Sequence, residues 1–526
     1  MEHIELIVFG LLVAIAGLAV LAGLLRVPYP VTLVAGGAVI GFLPGVPEVS
    51  LDPDLVLLIF LPPLLYGASF FTSVRDLRRN AKPIALLSIP LVLVTMGAVA
   101  VAAHWVIGLD WGPAFVLGAI VSPTDAVAPA EIMRRIGAPR RLITIVEGEN
   151  LTNDWTALVL YRFAVMAVVT GSFSLVEAIP KFLATGVGGV AIGLIAGRII
   201  REIRARIDDP PTEITISILS GYAAYLPAEE LGASGVIAAV TVGLYMGWHT
   251  PQLTTPVMRL QGVALWEILT FLLNAVLFLL VGLQLPGVMD RLSGHSGGEL
   301  IGWALLVSAV VITVRLVWMF LIPYAVTMAD SDARPEGRHR APPAERLALG
   351  WAGMRGSVSL AAALAIPISI DAGGAFPDRG LIIFLAFAVI LVTLVGQGLS
   401  LGPLITALGL QDDGIEEREE RVARQRVAEA GLGRIDELGE PEWIGNDSIE
   451  RARNLLDYRR RRFGALVDGD GDGYEERADA WRRLMYDVYD AQRNELVSMR
   501  NRGEISDEVR RRIERDLDLE ESRLEN

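Results

Sequence analysis

Long apolar runs alternate with short polar or Gly/Pro-rich breaks over most of the chain. Runs of about 15–28 residues lie near 4–25, 29–44, 54–72, 83–108, 112–131, 142–170, 175–200, 212–226, 233–248, 260–285, 300–326, 346–370 and 379–409, close to the length that carries a helix across the hydrocarbon core. The pattern predicts thirteen transmembrane helices. The first run follows the acidic MEHIE and reads as a span rather than a signal peptide. Beyond residue 410 the pattern changes. Stretches 415–440, 448–466 and 478–520 read as polar helices rich in Arg and Glu, with Ser506 as an N-cap in the RGEISDEVRRRIERDLDLEE stretch. The expected fold class is an all-α polytopic membrane protein, residues 1–410, followed by a charged helical cytoplasmic domain, residues 411–526.

The breaks orient the spans. SVRDLRRNAK, MRRIGAPRR, RIIREIRARIDD and DARPEGRHR follow the third, fifth, seventh and eleventh runs, so the basic loops all fall on one side, which is cytoplasmic by the positive-inside rule. An odd number of spans then puts the N-terminus outside and the tail inside the cytoplasmic membrane.

Composition agrees with a lipid solvent: of 526 residues 52% are hydrophobic and 20% charged, with a mean hydropathy of +0.47. Charge is segregated. Residues 411–526 hold 32 of the 60 acids and 22 of the 46 basic residues, leaving 28 acids and 24 bases for the first 410. The net charge of −14 therefore comes mostly from the tail and argues against nucleic-acid binding. Without cysteine there is no disulfide or thiol chemistry, and the five histidines lie too far apart to suggest a metal site. No cofactor is expected, and the chain does not read as an enzyme.

Candidate chemistry sits inside the apolar runs. The sixth contains VEGENLTNDW, where Glu147, Asn150 and Asp154 fall within about 60° of one another on a helix and Glu149 and Asn153 form the adjoining stripe. An intramembrane acid costs roughly 2.5–3.5 kcal/mol on insertion scales, so it faces a bundle interior or water, paired or functional. Glu147 and Glu149 have an alternative reading as headgroup-level acids; Asp154, some twelve residues into the span, reads as buried. The fifth run is interrupted by Ser122, Pro123, Thr124 and Asp125, and the twelfth by Gly350, Gly353, Arg355 and Gly356. Proline removes a donor and clashes with the preceding turn, so the fifth helix is expected to break, with a capped kink as the alternative. Such a break is tolerated in lipid only where it is buried or lines a cavity. If the first and last six spans are repeats, runs five and twelve correspond, and paired broken segments point to a transporter's binding site. Arg315, Glu267 and Asn274 read as structural partners, with pathway lining as the alternative.

SPTDAVA, EGENLTNDWTALVLYR and GWAGMRGSVSLAAALAIP, in that order, resemble the cation:proton antiporter family 1, which includes bacterial NhaP-type and animal sodium/proton exchangers; the resemblance covers residues 1–410. It implies inverted six-helix repeats with two crossed broken helices, an elevator-like motion of a core against a dimerisation domain, a homodimer in the lipid bilayer, and exchange of Na⁺ for H⁺. It gives Asp154 the ion- and proton-carrying role and places Asn153, Thr124 and Asp125 beside it; Asn150 and Ser122 are further candidate oxygen ligands in this chain. It pairs Glu149 with Arg355. The asparagine–aspartate pair resembles the electroneutral branch. Two positions depart from the family: Asn150 replaces a common serine, and Gly67 in LPPLLYGAS replaces an acid. Alternative functions are a K⁺-selective antiporter, a cation channel and a membrane-anchored sensor. In the tail, Asp468, Asp470, Asp472 and Asp479 fit positions 1, 3, 5 and 12 of a calcium loop, without the usual glutamate at position 12, and a flexible acidic turn is the alternative.

Overall fold

A computed structural model describes residues 2–25, 27–44, 53–171, 175–292, 294–329, 342–371, 373–410, 414–439, 443–468, 472–522 and 524. The chain divides into two compact units, Met1–Gln411 and Asp412–Asn526. In the first, α1 (Glu2–Leu25), α2 (Tyr29–Gly41) and α3 (Pro53–Phe70) fill the first three apolar runs. Next come α4 (Val74–Arg79), α5 (Ala81–Ser88) and α6 (Pro90–Ala102), the last extended by a π-turn to Ile107. The fifth run is two helices, α7 (Trp111–Val121) and α8 (Val127–Arg135), and the sixth is the continuous α9 (Arg140–Thr170). There follow α10 (Leu175–Arg204), α11 (Pro210–Glu230), α12 (Gly235–Leu253), α13 (Pro256–Arg291) and α14 (Gly297–Ala329). The twelfth run is again split, into α15 (Pro343–Trp351) and α16 (Ser357–Leu364), and the last is α17 (Arg379–Val392), a π-turn and α18 (Gly398–Ala407).

The unit is all-helical among its described residues. Among the described residues, five helical stretches are individually long and apolar enough to cross a membrane: Ala81–Ile107, Pro180–Arg204, Pro256–Gly287, Gly297–Leu321 and Arg379–Ala407. Four shorter apolar stretches accompany them: Phe9–Leu25, Tyr29–Gly41, Leu55–Phe70 and Trp111–Val121. The basic loop 331–340 that helped to orient the spans lies outside the described residues.

Two bundles make up this unit. In one, α2 lies on α13, and α12 packs against α3, α10 and α11. Small residues allow these close approaches, with Gly243 and Gly247 meeting the backbone of α3 at Tyr66 and Phe70. In the other, α9 and α17 flank the split helix α7, and α14 packs on α6, α15 and α17. Two apolar clusters lie on either side of the helix breaks. One gathers Val116, Leu158, Tyr225, Val236, Val307 and Leu385, the other Leu33, Met133, Leu142, Phe278, Leu349 and Leu401. The polar crossing sits between them.

The second unit has α19 (Ile415–Leu438) against α20 (Asn446–Asp468), and α21 (Asp472–Asn501) against α22 (Asp507–Glu521). The predicted stretch 478–520 is thus two helices. They part at Gly503, whose φ of 74° suits a residue without a side chain, and Ser506 caps the second by accepting from Val509 N–H at 3.2 Å. The calcium-loop reading does not fit this backbone. Asp470 lies outside the described residues, and α21 runs unbroken from Asp472 to Asp479, where a calcium loop would still be wrapping its ion. Asp479 pairs with Arg482 on the same helix.

Candidate ion-binding site

The two breaks cross. Pro123 cannot continue α7, and the freed backbone of Asp125 donates to Met354 O in the opposite break at 2.7 Å. The Asp125 carboxylate then serves both onward half-helices: Oδ1 accepts from Val127 N–H at 2.8 Å and Oδ2 from Ser357 N–H at 3.0 Å. Two positive helix ends converge on one negative charge. Gly356 is required by this contact, because a Cβ there would fall on the Asp125 carboxylate. Arg355 answers at the other ends. Its Nε donates to Val121 O, the end of α7, at 2.9 Å, its Nη1 donates to Gly353 O just past α15, and its backbone N–H donates to Thr393 Oγ1 at 3.1 Å. An acid holds two N-termini and a base holds two C-termini, so the crossing is internally compensated.

The expected Glu149–Arg355 pairing is therefore corrected. Glu149 pairs with Arg315 of α14, whose Nη1 donates to Oε1 and whose Nη2 donates to Oε2 at 2.8 Å, with both side chains at most 2% exposed. Arg315 also donates to Leu349 O from Nε at 3.3 Å and Nη2 at 3.0 Å. The reason is geometric. The Arg355 guanidinium is taken up by carbonyls freed at the breaks, whereas Arg315 enters from a neighbouring intact helix through room left by Gly353. Arg315 was visible in the sequence as a lone base in an apolar run, but nothing there gave its partner.

From this pair a chain of hydrogen bonds leads to Asp154. Thr124 Oγ1 donates to Glu149 Oε1 at 3.1 Å and accepts from Asn153 Nδ2 at 2.7 Å. Asn153 is fully buried and Asp154 is 2% exposed, and neither Asn153 Oδ1 nor Asp154 Oδ1 has a partner among the described residues. Asp125 and Glu149 are held by named donors, whereas Asp154 presents an unengaged carboxylate oxygen. A cavity of about 380 Å³ is lined among others by Thr124, Asp125, Asn150, Asp154 and Asn274, and extends to the Arg134–Glu147 ion pair.

The other expected residues divide. Asn150 lines the cavity, but its Oδ1 accepts from Ala126 N–H at 3.2 Å and so caps the start of α8. Ser122 does not reach the cavity; its hydroxyl turns back to Ala119 O at 3.0 Å, as a serine at a helix end readily does. Asn274 donates to Thr270 O at 3.0 Å and borders the cavity, so the pathway-lining alternative describes its position. Glu267 is exposed on α13 and is neither a buried partner nor part of the lining. Gly67 faces the Trp266 ring, 3.1 Å from where a Cβ would stand, and Trp266 Nε1 is held by Ser217 Oγ at 3.1 Å. The indole occupies space that a side chain at position 67 would need.

Comparison with known proteins bears on the family and the fold. Residues 10–407 match the family model described as "Sodium/hydrogen exchanger, transmembrane". An uncharacterised Na⁺/H⁺ exchanger of Mycobacterium tuberculosis is 37% identical, covering 98% of this chain and 97% of that one. The Na⁺/H⁺ antiporter ApNhaP of Aphanothece halophytica is 32% identical over 83% of this chain and 81% of its own. The sodium/proton antiporter MjNhaP1 of Methanocaldococcus jannaschii superposes with a TM-score of 0.61 over 78% of this chain and 99% of that structure, at 22% identity, which shows a shared fold. With nearly the whole first unit matched and the broken-helix crossing in place, the chain belongs to the sodium/hydrogen exchanger family of membrane transporters and is not an enzyme.

Proposed function

We propose that the protein exchanges Na⁺ for H⁺ across the cytoplasmic membrane, with Asp154 carrying either ion in turn. The observation behind this reading is that Asp154, a residue lining the cavity, keeps an unengaged Oδ1 beside two carboxylates already held by donors. A buried bare carboxylate is costly, and a proton or a hard cation relieves that cost. Binding one excludes the other, so a core that moves only when loaded couples opposite fluxes. The Thr124 hydroxyl, the Asn153 amide oxygen and the carbonyls of the breaks are the oxygens on hand to replace water around the cation. Asn150 contributes by holding α8 in place. Since the residue before Asp154 is a neutral asparagine, one charge is alternately neutralised, and one Na⁺ for one H⁺ is the expected stoichiometry.

In this reading thirteen spans form two inverted repeats, the bundle containing the crossing moves against the α2–α3–α10–α13 bundle in an elevator-type cycle, and two copies associate in the bilayer. The N-terminus is outside and the tail, a regulatory or dimer-stabilising domain, is cytoplasmic. The cavity then opens inward, since it ends near Arg134 and Glu147 on the side of the basic loops. A relative in Bacillus pumilus is named a sodium, potassium, lithium and rubidium/H⁺ antiporter, so the cation is tested directly. Vesicles reconstituted with the protein and an internal pH dye receive Na⁺, Li⁺ and K⁺ in turn. Na⁺ should drive proton movement, and its apparent KM should rise as pH falls, because protons compete for Asp154. A KM that stays flat from pH 6 to 9 with activity intact would assign the two ions to separate sites.

A further inference from the structure

Eight residues beyond Asp154, about 12 Å further along α9, Arg162 Nη1 donates to Glu229 Oε2 at 2.6 Å. This is the side of Asp154 away from the cavity. Below the pair, Leu158 and Tyr161 of α9 are packed into one apolar cluster with Leu61, Leu65, Tyr225 and Val236, all at most 5% exposed. The site is thus sealed on this side and open on the other. Glu229 stands at a fixed corner: its Oε1 accepts from Gly235 N–H, the first residue of α12, at 2.8 Å, and Ser234 caps the same helix through Ile237 N–H at 3.3 Å. Arg162, by contrast, rides on the helix that carries Asp154. The pair joins the bundle containing the crossing to the bundle it packs against.

Its exposure separates it from the buried ion pair on α9. Glu149 and Arg315 are 1% and 2% exposed, so parting them would strand buried charges. Arg162 and Glu229 are 39% and 27% exposed, so neither charge is stranded in the packed interior when they separate. The first suits a scaffold and the second a contact that opens and closes in every cycle. We propose that Arg162 and Glu229 form the latch over the sealed side of the site, closed in the state described here and parted when Asp154 is exposed to that side. Both are positioning residues that act through the seal beneath them. The proposal rests on the alternating-access reading above.

The chain has no cysteine, so a single reporter can be placed in the seal. Val236→Cys, 2% exposed as valine, is followed in vesicles by its labelling rate with a membrane-impermeant maleimide applied to the outer face. Glu229→Gln can keep the acceptor for Gly235 N–H while it removes the charge and replaces the acceptor facing Arg162 by an amide donor. It should speed labelling about fivefold, the shift that follows from losing a solvent-touched pair of about 1 kcal/mol. Arg162→Gln should do the same, the double variant should label no faster than either, and Arg162→Lys should stay close to the parent. The apparent KM for the cation on the outer face should fall in parallel in the two glutamine variants, as the outward state becomes easier to populate. Parent-like labelling in both glutamine variants, or effects that multiply in the double variant, would overturn the latch. In that case the parent's own cation-driven proton movement still upholds exchange, whereas a parent with none sinks the exchange reading itself.

Discussion

Replacing Arg315 by glutamine leaves Glu149 buried with one of its three side-chain donors, the Thr124 hydroxyl at 3.1 Å. Breaking a buried ion pair from one side costs about 3–5 kcal/mol, and at about 2–4 °C per kcal/mol the thermal midpoint in detergent should fall by roughly 10 °C. Glu149→Gln should be milder. It leaves the guanidinium its two bonds to Leu349 O, and losing a charge-assisted hydrogen bond costs about 1.5–3 kcal/mol. The double variant has no stranded charge, so its loss should fall short of the sum by about 1–3 kcal/mol. The ten tryptophans provide the unfolding signal. A parallel cycle on Glu149 and Arg355 should show the smaller coupling, because Arg355 spends its donors on Val121 and Gly353 carbonyls. Additive losses at Glu149 and Arg315, with strong coupling at Glu149 and Arg355, would refute the assignment and restore the pairing expected from the family.

Asp154→Asn should abolish cation-driven proton movement while the protein stays folded in the membrane; wild-type-like exchange in vesicles carrying it would remove Asp154 from the mechanism. Gly67→Asp, which places an acid where the family resemblance leads one to expect it, should destabilise the protein by about 1–3 kcal/mol through overpacking against Trp266, and an unchanged thermal midpoint would show that the ring yields freely. In the tail, the Arg502 guanidinium beside Glu504 holds that carboxyl below its ordinary range. A depressed folded-state value means that the contribution is present above the ordinary carboxylate range and is lost as pH falls through the lower folded value. Protection of the α22 amides, taken relative to the intrinsic exchange rate at each pH, should therefore fall on acidification, and Glu504→Gln should flatten that response; an identical acid profile in the variant would exclude the contact as its source.

Much of the site was legible from the chain alone because its signals are local. Apolar run length gave the helices, Pro123 gave the break between α7 and α8, and the glycines around Arg355 gave the break between α15 and α16, since each depends on backbone chemistry within a turn or two. Asp154 stood out by the same logic, as an acid deep in an apolar helix. Partners were another matter. Arg315 is 166 residues from Glu149, and two arginines were available to one glutamate. Only the crossing of the two breaks, which consumes the Arg355 donors in freed carbonyls, decides which of them pairs with it. The same holds for Asp125, which serves a helix start 232 residues away at Ser357 as well as its own, and for Asn150, whose amide oxygen is taken by Ala126. In the tail, an acidic pattern with calcium-loop spacing lies partly on a helix, because spacing does not reveal where a helix begins. Sequence determined which groups are placed where water is scarce; which of them satisfy one another, and which one is left unengaged to take an ion, was decided by packing that brings distant segments within hydrogen-bond reach.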